Sequence, residues 1–292
     1  MSPKWPSEVF SGDLAWGLNP ARISRGRAIY AEICVECHLG PVDDPLFDTQ
    51  FPEKSFWSSH HWKNPEGPNA VLTLVQKGVA GMGTDPAQAN VLALRKVDVP
   101  GFLGLQATRD LGTKWNCPDI RDSASTEMPY SLALMMVVDR VSTKWIEDHP
   151  AADPKALWGP RQNCPNPVSE PHYRARPLNG VWATAPYLHN GSVPSLYWML
   201  KPAAERPKQF CMGSRDFDPQ QVGFRVVAGE ASTCKKGETL FSATAPDGSA
   251  IHGNSVLGHS LEGTPGPGKP GVIGRMLSEE ERYDLIEYLK TL

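Results

Sequence analysis

Long apolar runs are absent. No stretch approaches the roughly eighteen consecutive apolar residues that a membrane helix needs, so no membrane span is expected. A surplus of one charge is absent too: 29 Lys and Arg stand against 32 Asp and Glu, a formal net charge of -3. That balance excludes the basic surface of a nucleic-acid-binding protein. Internal repeats and low-complexity tracts are missing, and the N-terminus lacks the charged-then-apolar pattern of an export signal. What the 292 residues do contain is turn chemistry, with 28 Pro and 26 Gly making up nearly a fifth of the chain. Such a composition predicts long loops and tight turns between relatively few regular elements.

Two helices stand out against that background. From Ser24 to Cys37 the apolar residues Ala28, Ile29, Ile33 and Cys37 recur at helical spacing, and Gly40-Pro41 ends the run. Near the C-terminus, Ser278 with Glu281 forms a capping box, and Leu285, Ile286, Leu289 and Leu292 make one apolar face. Between them, residues 69–79 read as a short helix, and Asp85-Pro86 as the N-cap and first turn of another. Residues 127–147 carry Leu132, Leu134, Met135, Val138, Val141 and Trp145, the stripe expected of a buried helix. Residues 1–20 read as an irregular arm.

The first helix runs into Cys34-Val35-Glu36-Cys37-His38, the pattern of covalent haem attachment. Two thiols three positions apart reach the two vinyl groups of one porphyrin, and the adjacent histidine meets the iron. A zinc site would want a second ligand pair and a thioredoxin-like site a preceding strand, and neither is evident. The expected cofactor is one haem c, on Cys34 and Cys37, with His38 as axial ligand. Attachment of this kind implies export, so the sequence reads as a mature protein or one without its signal, periplasmic or otherwise extracytoplasmic. In such an oxidising compartment Cys117, Cys164, Cys211 and Cys234 form an even set. Three pairings exist, and closeness in the chain favours Cys117 with Cys164 and Cys211 with Cys234.

A helix ending in Cys-x-x-Cys-His and a terminal amphipathic helix resemble the class I cytochrome c pattern, in which the two helices cross. The expected fold is therefore mostly α: a class I cytochrome c-like core with a large loop-rich insertion. Residues 1–292 are read as a single domain, with the haem-binding core from 21–45 and 250–292 and an elaboration over 46–249. The other histidines are His60, His61, His149, His172, His189, His252 and His259. In the class I arrangement the distal ligand lies shortly before the terminal helix, where this chain has His252, His259 and Met276. Met276 sits almost on the cap Ser278, whereas His259 lies a loop's length upstream in a Gly-Asn-Ser stretch from Gly253, and is preferred.

The block from Tyr173 to Leu196, with Ala185-Pro186-Tyr187-Leu188-His189-Asn190-Gly191 at its centre, resembles the bacterial di-haem peroxidase and MauG superfamily. Within it the chain is most similar to the rubber oxygenase A-like cytochromes. Gly83-Thr84-Asp85-Pro86, Gly213-Ser214-Arg215-Asp216-Phe217-Asp218-Pro219 and the stretch ending at His259 carry the same likeness, from about residue 25 onward. The resemblance implies the electron-transfer half of such proteins, with His38 and His259 on the iron and His189 nearby as a polar group. Arg174 and Arg176 would then pair with propionates. Met199 or Met212 would be distal ligands if the likeness leans toward the peroxidases, and methionine raises the potential where histidine does not. This chain departs from the di-haem pattern in having one Cys-x-x-Cys-His. The expectation is accordingly an electron carrier between redox partner proteins, or a subunit of a larger complex. The alternative is a haem enzyme in which His189, His252 or His259 moves protons.

Overall fold

The computed structural model describes residues 4–9, 16–63, 70–99, 101–103, 127–150, 171–226 and 234–292. Among these, 39% are helical and 18% strand. The chain is mixed α/β, which corrects the expectation of a mostly α fold. The physical reason lies in the Gly- and Pro-rich middle of the chain. Its segments are too short for helices, but their buried backbone groups still need partners, and they find them in two-stranded ladders. Gln209–Met212 pairs antiparallel with Thr239–Ser242, Phe217–Asp218 with Gly223–Phe224, and Val75–Gly78 is bonded to His172–Ala175.

The chain divides into two compact units. The larger comprises 1–61, 74–85 and 173–292. Its spine is the helix Pro20–Ile33, whose N-cap Asn19 accepts hydrogen bonds from the Ala21 and Arg22 amides, and the terminal helix Glu279–Leu289. The predicted capping box of Ser278 and Glu281 is present. The two helices meet at Gly26, where a Cβ would lie 2.0 Å from the Asp284 carbonyl oxygen. Arg25 makes a two-pronged bond to the Asp284 carboxylate at 2.6 and 2.8 Å. Tyr30, Phe47, Val193, Leu285, Ile286 and Tyr288 fill the core between them. The first helix does not run unbroken to Cys37: it ends at Ile33, with Cys34 as cap, and a single turn Val35–His38 follows.

The smaller unit comprises 62–73 and 86–172. Here Lys96–Asp98 pairs with Glu127–Pro129, and the helix Tyr130–Asp148 packs Leu132, Ala133 and Met136 with Val99 and Met128. The stripe read as buried is so only in part: Leu132 is buried and Met135 packs against the same cluster, whereas Leu134, Val138, Val141 and Trp145 are exposed, Val141 by 65%. Residues 70–79 do not form the helix expected over 69–79. They hold Val71–Leu72 and Val75–Gly78, and a helical turn begins only at Val79. The helix after Asp85-Pro86 exists as Ala87–Leu94, but Pro86 is its cap position. Residues 6–9, within the expected irregular arm, form a helical turn. Of the two predicted disulfides, Cys211–Cys234 is formed, with Cα atoms 5.5 Å apart, while Cys117 and Cys164 lie outside the described residues. Among the described residues no helix is long and apolar enough to cross a membrane.

Candidate haem site

The break at Cys34 turns the motif into a compact corner. The amides of Cys37 and His38 both donate to the Cys34 carbonyl, and Leu39 leaves the turn at φ 64°, its carbonyl held by the Tyr30 hydroxyl at 2.8 Å. Cys34 and Cys37 are both free thiols, half-buried side by side. Part of Cys34 remains accessible, yet its sulfur is surrounded by protein. That burial, ahead of Cys37 and Glu32, pushes the thiol up to about 12.

His38 is placed by a segment far away in sequence. Its Nδ1 lies 2.8 Å from the Arg176 carbonyl, so Nδ1–H donates there and the Nε2 lone pair is left free. This is the arrangement by which metal-binding histidines have their tautomer and ring orientation fixed. Facing it is His259, with ring centroids 6.0 Å apart and planes tilted by 59°. Two imidazole nitrogens bonded to one metal at about 2 Å each, with the ring radii added, put centroids roughly 6 Å apart. The spacing therefore fits one metal centre between the rings. Burial lowers the pKa of His38, the Arg176 carbonyl opposing it. Burial, then His38 and Arg206, bring His259 down to about 3. Both rings are thus neutral near neutral pH, the form that binds metals. Nδ1 of His259 is buried with no hydrogen-bond partner, an orphaned polar atom of the kind that collects at functional sites.

His259 itself has φ 49°, an uncommon conformation for a residue with a side chain. It persists because its neighbourhood over-determines it. Gly258 before it, at φ 84°, lies so close to another segment that a Cβ would fall 2.7 Å from the Met82 carbonyl oxygen and from Thr84. Ser260 after it bonds the Gly271 carbonyl at 2.6 Å and accepts the Ala203 amide on its hydroxyl. Asn190 donates to the Gly253 and Ser255 carbonyls, and Asp85 accepts the Ser255 amide at 3.0 Å. The role foreseen for Asp85 was a helix cap, and the structure uses it to tether this loop instead.

The other expected site residues are less gathered. His189 stacks on Tyr173, with centroids 4.1 Å apart, and its Nε2 is buried without a partner. Burial lowers its pKa, with Asp85 opposing. Arg174 and Arg176 are exposed, and Arg176 serves the site through its carbonyl. Among the alternatives for the second ligand, His252 is exposed, Met276 is 56% exposed, and Met212 packs with the Phe210 cluster in a ladder. Met199 packs against the main core. The residue that sequence reasoning missed is Arg206, which is 3% exposed and donates to the carbonyl of His259. Lying in Glu205-Arg206-Pro207-Lys208, it carries no signal beyond that of a charged surface turn.

Residues 172–211, the stretch that supplies both the Arg176 carbonyl and Arg206, match the family described as RoxA-like, cytochrome c-like. The match supports a cytochrome c-like relationship, and such a relationship suggests haem binding. The chain is also similar to the uncharacterized protein y4iJ of Sinorhizobium fredii, with 36% identity over 296 residues, covering 99% of this chain and 41% of that protein. A second uncharacterized protein of the same bacterium, y4iM, is 40% identical over 124 residues, covering 41% of this chain and 27% of that protein. The chain thus spans less than half the length of the curated relatives it matches.

Proposed function

We propose that this chain is a c-type cytochrome that carries one haem, covalently held by Cys34 and Cys37, and passes single electrons between protein partners outside the cytoplasm. The observation that carries the reading is the pair of neutral imidazoles, His38 and His259, facing one another at a centroid distance of 6.0 Å beside two free thiols. Haem bound there supplies a one-electron couple at its iron. The rest is the work of the chain. Cys34 and Cys37 offer the two attachment points, and the Arg176 carbonyl keeps the His38 proton on Nδ1. The tethered loop would offer His259 to the same group, and two histidine ligands held in a rigid frame would change little between oxidation states, which is what fast electron transfer needs.

In this reading the haem-binding core is residues 21–45 and 250–292, served by the elaboration over 46–249. Arg174, Arg176 and His189 act as polar neighbours of the propionates and ring. Export to the periplasm accords with the attachment chemistry and with the Cys211–Cys234 disulfide. A second reading, in which the same electron transfer serves a larger oxidoreductase akin to the di-haem peroxidase and MauG proteins, draws on the greater length of y4iJ.

Optical spectra of the purified haem protein, ferric and ferrous, with and without carbon monoxide, test the proposal. A six-coordinate low-spin spectrum indifferent to carbon monoxide is expected, and His259→Ala should turn it high-spin and open it to carbon monoxide. A wild-type protein that is high-spin and binds carbon monoxide rapidly would instead mark a haem enzyme, and an unchanged spectrum in His259→Ala would remove that residue from the iron.

A further inference from the structure

We propose that Arg206 is the residue that positions the second axial histidine, and that its unpaired guanidinium raises the reduction potential of the haem. The inference rests on the two-histidine haem reading above. An arginine has five N–H donors in a rigid planar fork, and Arg206 uses all five on backbone carbonyls. Nε donates to Trp198 at 3.2 Å, and Nη1 to Val256 and Gly258 at 2.7 and 2.8 Å. Nη2 donates to Met199 and His259 at 3.2 and 2.7 Å. One planar group therefore locks the helical turn Leu196–Met199 to the segment that carries His259. A lysine, with three donors at a single point, could not span the same set.

The charge is as notable as the geometry. Arg206 is buried, and among the described residues no carboxylate stands in ion-pair contact with it. Burial brings its pKa down to about 10, so it stays protonated at neutral pH, with Glu262 acting in the opposite sense. Buried charges are ordinarily paired; this one is solvated by neutral carbonyls, which satisfy its protons without cancelling its charge. Its Nη2 lies 2.7 Å from the backbone carbonyl oxygen of His259, so the charge sits against the residue proposed to hold the iron. Oxidation of a haem held there would add one positive charge at its iron. A fixed cation held against one of the ligand residues would disfavour the addition and hold the iron toward the ferrous state.

The test compares wild-type, Arg206→Met and Arg206→Lys holoproteins by spin state, carbon monoxide binding to the ferrous form and potentiometric titration. Arg206→Met loses both clamp and charge. Its carbon monoxide binding should rise at least about tenfold, and about a tenfold loss of ferrous preference would lower the potential by about 59 mV for this one-electron couple. Arg206→Lys keeps the charge without the fork, so its carbon monoxide binding should rise while its potential stays near the wild-type value. A purely structural arginine would change the melting temperature alone. Wild-type ligation and potential in a folded Arg206→Met protein would overturn the proposal; if that variant fails to fold, wild-type carbon monoxide behaviour in Arg206→Lys would do so. A wild-type protein that is itself high-spin removes the two-histidine reading, and this inference with it.

Discussion

Asp44 shows how one side chain can serve two helices. Its carboxylate caps the helical turn Pro45–Gln50 by accepting the Leu46 and Phe47 amides, and accepts further bonds from Arg27 and from the Tyr288 hydroxyl, both at 2.8 Å. Burial alone would raise its pKa, but the bonds from Arg27, the Phe47 amide and Tyr288 outweigh it and hold the carboxyl below the usual range. Tyr288 is pushed well above its ordinary value in turn, by burial and by the nearby Asp44 charge. A depressed carboxyl stabilises the fold above the unfolded pKa of about 4, and that contribution is lost as pH falls through the lower folded value. Asp44→Asn should therefore cost about 1–3 kcal/mol at pH 7, and the gap to wild type should shrink below about pH 4. Urea denaturation at several pH values checks this, and a gap independent of pH would mean that Asp44 acts only through neutral hydrogen bonds. At this scale the Cys-x-x-Cys-His pattern at Cys34–His38 was legible from five consecutive residues, because a pattern of this kind is written in adjacent positions. Arg206 was not legible, since its five partners lie in two segments separated along the chain.

Helix pairing is decided by the contact at Gly26. With the Asp284 carbonyl oxygen 2.0 Å and the Tyr288 Cβ 2.8 Å from where a side chain would begin, the two helices can only separate or shift to admit one. Gly26→Val is expected to meet or exceed the roughly 1–3 kcal/mol typical of overpacking. Ser278→Ala, which removes only the cap, should cost about 1 kcal/mol. Chemical denaturation of the two variants compares them directly, and equal losses would argue against so close a crossing. The terminal helix could be read from its capping box and apolar periodicity, and the first helix and the helix Tyr130–Asp148 from periodicity alone, so the bounds of the first were displaced and its cap Asn19 was missed. The direction in which that last helix faces could not. A stripe of Leu134, Val138, Val141 and Trp145 has the spacing of a buried face, and only packing decides which of two apolar faces is covered. The ladders escaped notice because pairs of two to four residues have too little length to show a period.

Among the described residues the covalent tie is one disulfide. The Cys211–Cys234 bridge closes a sequence separation of 23 residues, and Gln209–Met212 pairs with Thr239–Ser242 just beyond it. A loop of this size implies roughly 3 kcal/mol of stabilisation. Thermal melts with and without a thiol reductant should differ by several degrees. No difference would show that the ladder and the Phe210–Phe241 contact suffice without the bridge.

Sequence by itself determined the terminal helix and its cap, and it singled out the Cys34–His38 motif and His259 as candidates, because each is written in neighbouring residues or in a short distance to the chain's end. Only the tertiary structure decided that the chain is mixed α/β, that His38 is oriented by the Arg176 carbonyl, and that a buried arginine holds the His259 segment. Those features depend on backbone groups, which every residue possesses alike, and on which distant segments meet them once the chain has folded.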